Sequence, residues 1–149
     1  MRNFYLIFML VCFMGGMVLS AKAEEKEPLV IEMLNKRGKD KMLYGQDVAR
    51  IDIGQTITWT PDSKGHNVQF ISVPDGVEKV KSKLSKEFSY TFEQEGVYLY
   101  VCTPHATMGM IGVVVVGESD VNLDEVLGYK FRGKSKRKFK KIVKSLKDV

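Results

Sequence analysis

The chain has 149 residues, with 23 Lys and Arg against 18 Asp and Glu, a formal net charge of +5, and 44% hydrophobic residues. That composition excludes a disordered chain and supports one domain with a real core. With only two cysteines and two histidines in the whole chain, a disulfide scaffold and any site that needs many imidazoles are excluded as well.

Residues 1–23 read as an export leader. Arg2 supplies a short positive region, residues 4–19 form an apolar run, and Ala21-Lys22-Ala23 is a small-residue cleavage signal. A permanent anchor is the competing reading, but the run is short of a comfortable span. Lipidation at Cys12 is disfavoured because Met9-Leu10-Val11 places no small residue just before it. The expected mature chain is 24–149, one domain of 126 residues, in a bacterial periplasm. Cleavage removes Cys12 and leaves Cys102 as a lone thiol, a liability in an oxidising compartment unless something occupies it.

The body reads as all-β. Candidate strands are Leu29–Leu34, Val48–Ile53, Thr56–Thr60, Val68–Ser72, Phe88–Phe92, Val97–Cys102 and Ile111–Val116. Turn chemistry separates them at Arg37-Gly38-Lys39-Asp40, Gly54, Pro61-Asp62-Ser63, Pro74-Asp75-Gly76 and Glu95-Gly96. Seven short strands at this spacing predict a Greek-key β-sandwich. Residues 73–87 carry no strand pattern and read as a long loop with room for a helical turn.

At the C-terminus the period changes, and residues 122–149 form a two-helix extension of the domain. Asn122 is placed to cap a short helix, with Glu125 at its third position and Gly128 at its end. A second helix is predicted after Ser135, where Phe139, Ile142, Val143 and Leu146 recur at helical spacing. Residues 130–149 hold ten Lys and Arg against Asp148, so the rest of the mature chain is net acidic. Such a tail suits nucleic acid or anionic lipid, but export argues against nucleic acid. Its apolar stripe suits docking back onto its own domain.

The chemistry concentrates in residues 96–112, GVYLYVCTPHATMGMIG. Val97, Leu99 and Val101 fall on one face of the leading strand, and Tyr98, Tyr100 and Cys102 on the other. A short loop then presents Cys102, His105 and Met110 before the chain resumes as a strand. The only other histidine of the mature chain, His66, sits in KGHNV. Two imidazoles, one thiolate and a distant thioether are the ligand set of a blue-copper electron-transfer centre. Met108 competes with Met110 for the axial place. Four protein ligands leave no open position for a substrate, so the site reads as non-catalytic. A copper chaperone is the competing function, although such carriers favour exposed Met- or Cys-rich sites. A purely structural β-domain would need the ligand set to arise by coincidence.

The spacing Cys-x2-His-x4-Met, with Pro104 before the histidine, resembles the cupredoxins, and CTPHATMGM with KGHNV resembles the pseudoazurins among them. MLNK (33–36), MLYGQ (42–46), IGQTITWTPDSKGHNV (53–68) and PDGVEKVKSK (74–83) extend the likeness over nearly the whole mature chain. Plastocyanins share much of the loop but lack the C-terminal extension. The resemblance implies a cupredoxin-like sandwich with one copper per chain, cycling between Cu(I) and Cu(II). It also implies Met42 lying against His105. Asn67 would tie the His66 loop to the Cys102 loop, and Pro104 would stiffen the loop and withhold an N–H from the sulfur. The expected docking patch comprises Met42, Ala106 and Met108 ringed by Lys36, Lys39, Lys41 and Lys64. Its partners would be acidic periplasmic redox proteins, a nitrite reductase or a c-type cytochrome. Val101, and Ala106-Thr107, depart from the residues the family often carries there.

Overall fold

The computed structural model describes residues 27–118 and 121–147; the expected leader lies outside them. Eight strands form two four-stranded sheets. These are β1 (Leu29–Arg37), β2 (Asp40–Tyr44), β3 (Val48–Ile51), β4 (Thr56–Pro61), β5 (Gln69–Ser72), β6 (Phe88–Thr91), β7 (Gly96–Val101) and β8 (Ile111–Val116). One sheet has the order β2-β1-β4-β6 and the other β3-β8-β7-β5. The β1–β4 and β3–β8 pairs are parallel and the rest antiparallel. Two helices follow, α1 (Leu123–Gly128) and α2 (Gly133–Lys147).

Facing sheets enclose an aromatic core in which Trp59, Phe70, Phe92, Tyr98 and Tyr100 are buried. Every residue of β7 and β8 is buried, because both faces of that sheet are covered. Tyr98 and Tyr100 face the sandwich, while Val97, Leu99 and Val101 join Ile111, Val113 and Val115 beneath the helices. Gly112 sits where a Cβ would overlap the Tyr100 ring, so the glycine is what lets that ring seat in the core.

Helix α2 buries Phe139, Ile142 and Leu146 on this second layer, and Arg50 of β3 donates to the Ser145 carbonyl at 3.2 Å. Its first turn contains Lys134 and Lys136 and no acidic residue, an arrangement that opposes the helix dipole by roughly 0.3–1 kcal/mol per cation. Three buried apolar side chains, at roughly 1.5–3 kcal/mol each, outweigh it. Lys138 also pairs with Asp47 at 2.5 Å.

Three expectations need correction. Asp40–Tyr44 is a strand that the pattern missed, because Met42 has a φ of 52° and only Tyr44 of its residues is fully buried. Asn122 stands at the N-cap position of α1 as expected, but its side chain makes no capping bond: its amide brackets Val97, accepting from the Val97 N–H and donating to the Val97 carbonyl. Glu125 likewise accepts from Ser72 Oγ and does not turn back on the helix start. And α2 begins at Gly133, three residues before the start predicted after Ser135.

Candidate metal centre

Strand β7 ends at Val101, and Thr103–Met108 form a 3₁₀ turn with Pro104 in its first turn. The turn is closed on itself. His105 N–H donates to the Cys102 carbonyl at 3.0 Å, Cys102 N–H to the Met110 carbonyl at 3.0 Å, and Met110 N–H to the His105 carbonyl at 3.3 Å. Local hydrogen bonds thus set the spacing of all three candidate ligands on this loop.

His66 arrives from the segment before β5, and the long loop 73–87 braces it. Ser85 N–H donates to the His66 carbonyl, Ser82 N–H to the Val68 carbonyl, and Gly65 N–H to Ser85 Oγ, each at 2.8 Å. Asn67 bridges to the ligand loop. Its Oδ1 accepts from Thr103 N–H at 2.8 Å, and its Nδ2 donates to Thr103 Oγ1 at 3.1 Å. Beneath it, the buried Tyr44 hydroxyl donates to the Asn67 carbonyl at 2.6 Å.

Among the described residues, His66, Cys102 and His105 are the one cluster of histidine, cysteine and carboxylate groups close enough to share a metal. The two Nδ1 atoms are 3.2 Å apart, and Cys102 Sγ lies 3.7 Å from His66 Nδ1 and 3.4 Å from His105 Nδ1. A first-row metal bonded to nitrogen at about 2.0 Å and sulfur at about 2.3 Å in a plane requires edges of roughly 3.5–3.8 Å. The observed triangle is about that size, a few tenths of an ångström tighter. Met110 is fully buried in the same core cluster as Cys102, whereas Met108 is 40% exposed. Copper fits this donor set, since thiolate and thioether are soft ligands and imidazole suits copper.

Asn35 on β1 went unrecognised in the sequence. His66 Nε2 lies 2.9 Å from Asn35 Oδ1, an acceptor, so the ring carries its proton there and turns a bare Nδ1 toward the cluster. The MLNK segment was visible as a motif, but nothing in it announced a contact with His66. Burial lowers the His66 pKa, helped by His105, and so favours the neutral ring a ligand must be. Burial also pushes the Cys102 thiol up, against hydrogen bonds from the Asn67 and His105 backbone amides that lower it. A bound cation would supply the remaining stabilisation of the thiolate.

Of the expected docking residues, Lys39, Lys41, Met42 and Met108 line one groove, while Lys36 and Lys64 are exposed but do not line it. Ala106 is half-buried against the helical layer, and its carbonyl accepts from Ser135 Oγ of α2. Gly133, at φ 60°, lies where a Cβ would overlap the Thr107 carbonyl oxygen. The start of α2 is therefore seated directly on the ligand loop.

Residues 31–117 match the copper binding proteins of the plastocyanin/azurin family. The chain is 40% identical over 96 residues to pseudoazurin of Paracoccus pantotrophus, covering 63% of this chain and 66% of that one. It is 38% identical over 108 residues to pseudoazurin of Methylorubrum extorquens, 71% of each. The refined crystal structure of pseudoazurin from Methylobacterium extorquens AM1 superposes with a TM-score of 0.78 at 30% identity, covering 81% of this chain and all of that one. The chain belongs to the plastocyanin/azurin family of copper-binding proteins, on its pseudoazurin branch: its cofactor is copper, and it is an electron carrier and not an enzyme.

Proposed function

We propose that His66, Cys102 and His105 hold the copper in a trigonal set, with Met110 as the axial ligand, and that the protein carries single electrons between soluble periplasmic partners. The observation that carries this reading is the inward-facing triangle of two Nδ1 atoms and one Sγ beside a buried methionine. When bound, the metal supplies a one-electron Cu(I)/Cu(II) couple. The chain's own residues hold the ligands in place and exclude water. Asn35 orients His66, Asn67 and Tyr44 lock its segment to the ligand loop, and the closed 3₁₀ turn fixes His105. His66 and Cys102 are fully buried, which suits retention of the metal and disfavours a carrier that hands it on. His105 is the half-buried member and the natural exit for the electron, beside exposed Pro104 and Met108.

Export by the leader 1–23 would place the domain 24–149 in the periplasm. Acidic redox proteins, a nitrite reductase or a c-type cytochrome, are the partners that a lysine-ringed patch fits. The test is the colour of the oxidised protein loaded with Cu(II). An intense visible thiolate-to-copper band is expected at one copper per chain. Cys102→Ser should abolish it, and Met110→Leu should keep the colour while raising the potential by removing an axial donor. A colourless wild type overturns the reading, and a potential that moves with Met108→Leu but not with Met110→Leu overturns the axial assignment.

A further inference from the structure

Two sets of cations that lie nearly a hundred residues apart in the sequence meet in one place. Lys39 and Lys41, on the β1–β2 hairpin, form one wall of a groove of about 490 Å³, and Lys134, Arg137 and Lys141 of α2 form the other. Met42 and Met108 also line it, and Met108 and Gly109 belong to the ligand loop itself. Six cationic side chains border the groove against two carboxylates, Asp40 and Asp47, and Asp47 is engaged by Lys138. The other five cations make no ion pair among the described residues.

We propose that this groove receives an acidic segment of the redox partner, so that the basic tail and the hairpin lysines act as a single docking surface. The inference rests on the copper reading above, since it is the neighbouring ligand loop that makes this the place to dock. Charge complementarity identifies the occupant as anionic, and the methionines beside the cations suit a protein segment, which offers carboxylates and apolar side chains together. A duplex fits less well. Its backbone offers phosphates to the cations but no apolar side chain to cover Met42 and Met108. Lys136, Lys140 and Lys144 belong to the same helix and are equally exposed, yet they do not line the groove. The helix thus contains its own control.

The probe is hexaglutamate, titrated at low salt into the full mature protein in its copper(I) form and followed by backbone amide NMR. Shifts should concentrate on residues 39–42, 108–109 and 134–141 and vanish at high salt. Lys134→Gln/Arg137→Gln/Lys141→Gln should weaken binding about tenfold, and Lys39→Gln/Lys41→Gln should weaken it several-fold. Lys136→Gln/Lys140→Gln/Lys144→Gln changes the net charge equally and should leave the affinity within about twofold. Equal weakening by the two helix triples, an effect of one wall alone, or tighter binding to phosphatidylglycerol vesicles or a DNA duplex than to the peptide would overturn the proposal. Each variant is first checked for its visible band. A wild type without colour refutes the copper reading, whereas blue variants that bind the peptide like wild type refute only the groove.

Discussion

Asn67→Ala tests how the two ligand-bearing segments are held together. Asn67 is 1% exposed, and its side chain makes two good hydrogen bonds to Thr103 and a longer one, 3.4 Å, to the Ser82 carbonyl. Each good bond contributes about 1 kcal/mol net, and a Thr103 N–H left without a partner costs about 1–3 kcal/mol more unless water reaches it. Thr103 itself is exposed, so part of that penalty is relieved. The expected loss is about 2–4 kcal/mol. In urea, at a slope of about 2 kcal/mol per molar, the unfolding midpoint of the copper-free protein falls by about 1–2 M. Fluorescence of Trp59, the single tryptophan, reports it from the core. Thr103→Ala removes the hydroxyl but leaves the Asn67-to-amide bond, and should cost about 1 kcal/mol. The double variant should fall short of additivity by about 1 kcal/mol, because the two side chains share an interaction. A loss below 1 kcal/mol for Asn67→Ala, or strict additivity of the pair, refutes the bridge.

Two other predictions concern the ends of the chain. Gly133→Ala places a side chain in a left-handed conformation and against the Thr107 carbonyl, so it should destabilise the copper-free protein by at least about 1–2 kcal/mol and shift the amide signals of residues 105–108; a neutral substitution would show that α2 does not seat on the ligand loop. Intact-mass measurement on exported protein should find Glu24 at the N-terminus, and a retained leader or a lipid mass on Cys12 refutes the periplasmic assignment.

What was legible in the sequence is what is local. Strand β8 was predicted at its observed bounds because an unbroken Ile-Gly-Val-Val-Val-Val run needs both faces covered. The two faces of β7 were readable for a related reason: its aromatics and aliphatics alternate strictly, and each set has its own layer to pack into. Cys102, His105 and Met110 share one loop, and His66 emerged only because no other histidine was left in the mature chain. Contacts across long separations left no such trace. Asn35 meets His66 over 31 positions, and Tyr44 meets Asn67 over 23. The loop 73–87 looked featureless because its order is borrowed. Its backbone pairs with Val68 and Phe70 through Ser82 and Val80, without forming a strand that a period-2 pattern would show. The true start of α2 at Gly133 was missed for a different reason. A glycine ordinarily reads as a break, yet here it opens a helix, because only a residue without Cβ lets α2 approach Thr107.

The ligand loop is supported from two sides, and this separates what should tune the centre from what should guide a partner to it. On the core side, Asn67 and the loop's own backbone hydrogen bonds act on atoms next to His66, Cys102 and His105. Perturbing them moves the ligands themselves, so stability and spectrum should change together. On the helix side, the cations of α2 project into the groove from exposed positions, while His66 and Cys102 are fully buried. Charges on such side chains are screened within about 8 Å at physiological ionic strength, so their removal reaches an encounter with a partner far more than it reaches the buried thiolate. Ser135 and Gly133 are the exception within α2, since they touch the carbonyls of Ala106 and Thr107 directly. On the docking proposal one helix serves two separable roles: Gly133 and Ser135 hold the loop, and Lys134, Arg137 and Lys141 turn toward the groove.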